Sequence, residues 1–222
     1  MQYEWNFQPV FRNANLFAQG AYGTIELVAF SLLLAVPLGL LLALLRVGKV
    51  PVLSTAAVVY VEFFRSAPSI VLIYWCYFAL PVLTHVAFTP MIAAVLAVGL
   101  QSAAFMCEVF RAGIGAVAPG QWEASQALGM SSNSVFWTII LPQAGRYMLP
   151  ALLNRLIDLV KTTALAATIA YSDIVYTAFR VSSSTYRPVE TFTVLGGIFF
   201  VVLFALSLCA RLFERHLTRS DA

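Results

Sequence analysis

The chain has 222 residues, of which 61% are Ala, Val, Ile, Leu, Met, Phe, Trp, Tyr or Cys and only 10% are charged. Soluble domains carry about 25% charged residues, so this composition excludes a water-covered globule, and its hydrophobicity excludes a disordered chain. A net charge of +3, from 13 Lys and Arg against 10 Asp and Glu, is too weak and too scattered for a nucleic-acid surface.

Residues 1–23 have neither the basic start nor the cleavage pattern of a secretory signal. They read as an arm outside the membrane, with Trp5, Phe7, Phe11 and Phe17 suited to the headgroup level. A bilayer core of about 30 Å needs about 20 residues of helix. The first predicted span is 24–45, closed by Arg46, Lys49 and Pro51. The second, 54–83, is longer than needed and carries Glu62 and Arg65. The third runs from Pro90 to about 114, with Gln101, Ser102, Glu108 and Arg111 within it or near its end.

The region 135–179 is harder to divide, because Pro142, Arg146, Pro150, Arg155, Asp158 and Lys161 interrupt its apolar stretches. It reads as a cytoplasmic helix, a fourth span at 146–168 and then a polar loop. A fifth span covers 191–213, followed by a tail of 214–222. The predicted fold is therefore all-α, a polytopic membrane protein with about five transmembrane helices. Arg46, Lys49, Arg111, Arg146, Arg211, Arg215 and Arg219 then fall on one side, which the bias of Lys and Arg toward inner loops assigns to the cytoplasm. The N-terminus is expected outside and the C-terminus inside.

Cys76, Cys107 and Cys209 lie in apolar runs without paired spacing, and His85 and His216 are isolated. No metal site is expected. No nucleophile, base or carboxylate pair stands at catalytic spacing, so no enzyme is expected either.

The connection 119–144 is the most informative stretch. Residues 120–128 read as a short amphipathic helix opened by Pro119 and closed at Gly129, a usual C-terminal residue. Glu123 is expected in its first turn, at the positive end of the helix dipole. Ala124, Ala127 and Leu128 offer a small-residue face that another protein can approach. After a reversal at Gly129, Met130 and Ser131, a second helix is expected to run to Pro142.

Glu123, Ala124, Ser125, Gly129, Phe136 and Pro142 resemble the EAA-type loop of ABC importer permeases. The departure from the pattern is Ser125, where the family often has alanine. Other segments are similar to the polar amino-acid branch of that family. Phe64-Arg65-Ser66-Ala67-Pro68 resembles its FRGTP-like segment, Glu108 to Gly113 its E-hydrophobic-x-R-x-G segment, and Leu141-Pro142-Gln143-Ala144 its LPQA sequence. Lys161-Thr162-Thr163-Ala164-Leu165 is similar to its LKDTSL segment but departs at Thr162 and Ala164. Permeases of the acidic amino-acid type, for glutamate or aspartate, share the most residues.

The resemblance implies a MetI-like ABC transmembrane domain over 24–213, in which 119–144 is the coupling loop. Glu123, Ala124, Ser125, Leu128 and Gly129 would then dock on the ATPase. It implies an amino-acid importer in a bacterial cytoplasmic membrane. The expected partners are two copies of an ATP-binding subunit, a second permease copy or relative, and an amino-acid-binding protein outside. No GxxxxGK[ST] phosphate loop is present, so no cofactor is expected on this chain. ATP and magnesium would sit on the partner ATPase.

Ionisable groups in a membrane helix cost about 2.5–3.5 kcal/mol each on insertion scales, so they face protein or a water-filled path. Glu62 with Arg65, and Glu108 with Arg111, share helical faces at a spacing of three. The second pair reads as a brace for the loop. Arg155, Asp158 and Lys161 form a charged stripe that must avoid lipid. The candidate path residues are Arg65, Gln101, Ser102, Asp158, Lys161, Thr162 and Thr163: arginine offers a carboxylate a planar donor pair, and threonine hydroxyls supply further hydrogen bonds. Structural roles stay open for all of them. The residues alone also leave a second reading open, an ion-gradient-driven secondary transporter or channel subunit that uses the intramembrane charges as a relay.

Overall fold

The computed structural model describes residues 3–48 and 50–218, with side chains through Leu212. Lys49 and Arg219 lie outside the described residues, as do the side chains of the expected tail 214–222. All regular structure among the described residues is helical. Helix α1 is Ala14–Val47, α2 is Pro51–Ser66, α3 is Ser69–Thr84 and α4 is Pro90–Gly115. Helix α5 is Pro119–Ala127. The run 132–163, here α6, joins Ser132–Val135, a π turn at Phe136–Ile140 and Leu141–Thr163, with a 3-10 turn at Ala164–Ile169 behind it. Helix α7 is Ile174–Thr185 and α8 is Pro188–Thr218.

Three of these, Ala14–Val47, Pro90–Gly115 and Pro188–Leu212, are long and apolar enough to cross a membrane. The segment Leu141–Thr163 has the length, at 23 residues, but carries Arg146, Arg155, Asp158 and Lys161, which only a protein or water environment tolerates. With it and the α2–α3 pair the count stays at about five.

The expected second span, 54–83, is not one continuous helix: α2 and α3 meet at 105°. Pro68 has no N–H to continue the helix and drives the preceding residue out of the α region, and Ala67 is extended with ψ 134. The carbonyls released by the break need partners where water is scarce. Gln101 supplies them, its Nε2 donating to Phe64 O at 3.2 Å and Ala67 O at 2.8 Å.

Two other expectations change for related reasons. The helix expected to stop at Pro142 passes through it, because a π turn at Phe136–Ile140 widens the backbone immediately before the proline. The same device precedes Pro81, with a π turn at Trp75–Ala79. Widening by one residue relieves the clash between the proline ring and the carbonyl four residues back. The expected polar loop after the fourth span is mostly α7. Its start is capped by Asp173, whose carboxylate accepts from Tyr176 N–H at 2.7 Å, while Ile174, Ala178 and Val181 bury one face.

Helix α1 lies along α4, and the approach is close enough that a Cβ on Gly39 would stand 2.9 Å from Ala103 O and Met106 Cβ. At one end of the bundle Leu42, Met106, Cys107, Ile114, Ile140 and Met148 form a buried cluster. At the other, Val10 and Phe17 pack on Ile174, Val181 and Leu195. Phe17 is thus a core residue rather than an interfacial one, whereas Trp5 and Phe11 are exposed. The arm is fastened by buried Glu190, which accepts from Tyr3 OH at 2.5 Å and Asn6 N–H at 3.0 Å. Arg187 lies 3.4 Å from the same carboxylate and donates to Glu4 O at 3.0 Å.

Candidate functional site: two stacked cavities and an exposed helical turn

Two polar cavities lie between α2, α4 and α6. The first, about 440 Å³, is lined by Arg65, Gln101, Ser102, Asp158, Lys161 and Thr162 among others. These are all the candidate path residues except Thr163. That residue is corrected: it is fully buried and its hydroxyl donates to Val160 O at 2.8 Å, within its own helix. The Thr162 hydroxyl likewise donates to Asp158 O at 2.9 Å, so its proton is engaged and only its oxygen lone pairs face the cavity.

Within this cavity Asp158 is flanked by Arg155 at 3.4 Å and Lys161 at 3.7 Å. Arg65, Arg155 and Lys161 line the cavity with one carboxylate. Arg65 also stands 3.9 Å from Glu62 and 3.7 Å from Glu108, but Glu108 is shared with Arg46 and Arg111, so the set of five cations and three carboxylates keeps a positive excess. The second cavity, about 460 Å³, is lined by Arg65, Phe105, Glu108, Ala112, Tyr147 and Arg155 among others.

Glu108 is the hub of the adjoining charge network. Its carboxylate bonds the Arg46 guanidinium and accepts from Arg111 Nε and Nη2 at 3.2 and 2.8 Å, and Arg65 stands 3.7 Å away. The Glu108–Arg111 pair is present, but the brace is larger than expected. Arg46 reads from the sequence only as a topology charge, because its partner lies 62 positions away and no local spacing reveals it.

A third cavity, about 350 Å³, is bounded by Ala21, Val28, Leu156, Ile198 and Phe199, with Thr24 as its one hydroxyl. That hydroxyl donates to Gly20 O and accepts from Ile174 N–H. Nothing polar is left there to hold a charged ligand.

At the end of the bundle marked by Arg46 and Gly115, α5 ends in a Schellman reversal. Met130 N–H bonds Ser125 O at 3.2 Å, Gly129 N–H bonds Gln126 O at 2.9 Å, and Gly129 takes φ +78. Ser131 then caps the next helix, its Oγ accepting from Ser134 N–H. Glu123, Ala124, Leu128 and Gly129 are all exposed on this turn. Two expectations are corrected here. Glu123 is not in the first turn of the helix, which begins at Pro119. Ser125 faces inward, buried, with its hydroxyl donating to Gln121 O at 2.6 Å, so it shapes the turn rather than presenting itself for docking.

Residues 35–219 match the model of a family described as the binding-protein-dependent transport system inner membrane component. The chain belongs to that family. It is the membrane-spanning permease of such a system, not a catalytic subunit. Among curated relatives it is 32% identical over 203 residues to the arginine transport system permease protein ArtQ of Bacillus subtilis, covering 91% of this chain and 93% of ArtQ. It is 38% identical over 197 residues to the octopine transport system permease protein OccM of Rhizobium meliloti, covering 85% and 79%. It is 33% identical over 199 residues to the putative glutamine transport system permease protein GlnP of Rickettsia bellii, covering 90% and 91%. Among solved structures it superposes with a TM-score of 0.90 on an amino acid ABC transporter crystallised with histidines, at 31% identity over 96% of this chain and 100% of that one. A chain of the methionine transporter MetNI, at 21% identity and TM-score 0.75, shares the fold. This kinship favours the ATP-driven reading over the ion-gradient alternative.

Proposed function

We propose that this permease subunit of an amino-acid importer passes its substrate through the cavity between α2, α4 and α6, and that the substrate is an acidic amino acid, glutamate or aspartate. The observation that carries the reading is the charge of that cavity: Arg65, Arg155 and Lys161 against Asp158. Guanidinium groups bind carboxylates bidentately. A substrate with two carboxylates and one ammonium complements this lining, while a second cation on the substrate would meet like charges. The relatives are named for arginine, glutamine and octopine, so kinship alone does not choose among amino acids and the lining must.

Glu123, Ala124, Leu128 and Gly129 dock on an ATP-binding subunit, which holds the ATP and magnesium. Their end of the bundle is then cytoplasmic, and the arm held by Glu190 is outside, where an amino-acid-binding protein delivers substrate. Arg46, Arg111 and Arg146 on the docking side agree with the inner-loop bias. One permease encloses half a path, so a second copy or a related chain completes it.

Equilibrium binding to the detergent-solubilised permease–ATPase complex, without the binding protein, tests the substrate. Unlabelled glutamate or aspartate is expected to displace labelled glutamate at concentrations at least tenfold lower than arginine does. Equal or better displacement by arginine overturns the acidic assignment.

A further inference from the structure

Arg65, Phe105 and Arg155 line both polar cavities, and side chains that line two cavities form the wall between them. They come from three helices, α2, α4 and α6. On α4, Gln101 and Ser102 of the first cavity precede Phe105, while Glu108, Val109 and Ala112 of the second follow it. On α6 the order reverses: Tyr147 and Ala151 of the second cavity precede Arg155, and Asp158 and Lys161 of the first follow it. The cavities are therefore stacked along the helices and meet at these three side chains. From Gln101 to Ala112 a helix rises about 16 Å, enough to place them one above the other.

Where they meet, the Phe105 ring is flanked by two guanidiniums, Arg155 with Cζ 5.0 Å from its centroid and Arg65 at 5.9 Å. Both distances suit cation–π attraction. Each arginine is also held by a carboxylate on a different side of the wall: Arg155 by Asp158, which lines only the first cavity, and Arg65 by Glu108, which lines only the second.

We propose that Phe105, clamped between Arg65 and Arg155, is the gate of the permeation path. The ring blocks this subunit's half of the passage while both guanidiniums hold it. A substrate carboxylate in the first cavity opens the clamp by drawing Arg155 away from the ring. The same arginines thus attract the substrate and hold the door, which ties opening to a carboxylate-bearing cargo. This inference rests on reading the first cavity as the substrate path.

The test uses the assembled permease–ATPase complex in proteoliposomes, without ATP, with Cys209→Ser removing the exposed cysteine while Cys76 and Cys107 remain buried. Ser102→Cys places a reporter on the first-cavity side. A small anionic methanethiosulfonate is supplied only from the side to which α5 is exposed. With Phe105 present, labelling of the reporter is expected to be slow; with Phe105→Ala it should be at least tenfold faster; Phe105→Trp should keep it slow. Phe105→Leu fills similar volume without a ring and should also label fast, which keeps the test decisive if the alanine variant fails to assemble. Equal labelling rates with Phe, Leu and Ala at position 105 would overturn the gate. Uptake of labelled glutamate through the complex with its binding protein reports the substrate reading separately. A complex that shows the tenfold labelling difference but takes up no amino acid keeps the gate and loses that reading.

Discussion

Leu128→Asp is expected to leave the permease inserted at its normal level and to reduce copurification of the ATP-binding subunit at least tenfold. Leu128 is 82% exposed, so within this chain its side chain holds little together and a polar replacement costs little. Surface changes away from special features usually stay within about 0.5 kcal/mol. In a docked complex the balance differs. Burying a leucine contributes about 1.5–3 kcal/mol, and a tenfold loss needs only about 1.4 kcal/mol. An aspartate carried into the same contact adds the cost of desolvating its charge. Glu123→Lys, also on the exposed face, should act in the same direction by reversing a charge. Wild-type copurification with both variants would remove the docking assignment.

Glu108→Ala is expected to lower the melting temperature of the solubilised complex well below that of the wild type, and by far more than Glu62→Ala. Glu108 is the shared partner of Arg46, Arg65 and Arg111. Without it three guanidiniums from α1, α2 and α4 face one another with no anion between them. Removing one member of a buried ion pair costs about 3–5 kcal/mol; the figure here is smaller, because the Arg111 side chain keeps 46% of its surface exposed and is screened by solvent. Glu62 is 61% exposed and stands 3.9 Å from Arg65, the kind of surface pair that contributes about 0–1 kcal/mol. Equal melting temperatures for the two variants would show that Glu108 is not a hub.

The hydrophobic runs and the placement of cations made the membrane class and most spans legible, because both signals are local. The turn at Gly129 was legible too: a Schellman reversal demands a residue that accepts positive φ. The charged stripe Arg155-Asp158-Lys161 had to face protein or water, and all three side chains line the first polar cavity. What escaped were features written between helices. The break at Pro68 had a visible signal, a proline inside an over-long span, but its partner Gln101 lies 34 to 37 positions away. The π turns before Pro81 and Pro142 let helices continue where proline alone reads as a stop. Phe105 drew no attention as one aromatic residue among many; only its position between two guanidiniums distinguishes it. Thr163 failed as a path residue because the last turn of α6 rotates it inward, one position beyond Thr162.

The proposed route takes an amino acid through the cavity of Arg65, Arg155 and Lys161 under power supplied by ATP on the partner subunit. Proteoliposomes holding the permease–ATPase complex, with ATP on the docking side and binding protein with labelled glutamate on the other, test it most directly. Uptake should require ATP, persist when an uncoupler collapses ion gradients, and fall at least tenfold with Arg155→Ala at unchanged assembly. Uptake that proceeds without ATP and stops with the uncoupler would rule out the ATP-driven route.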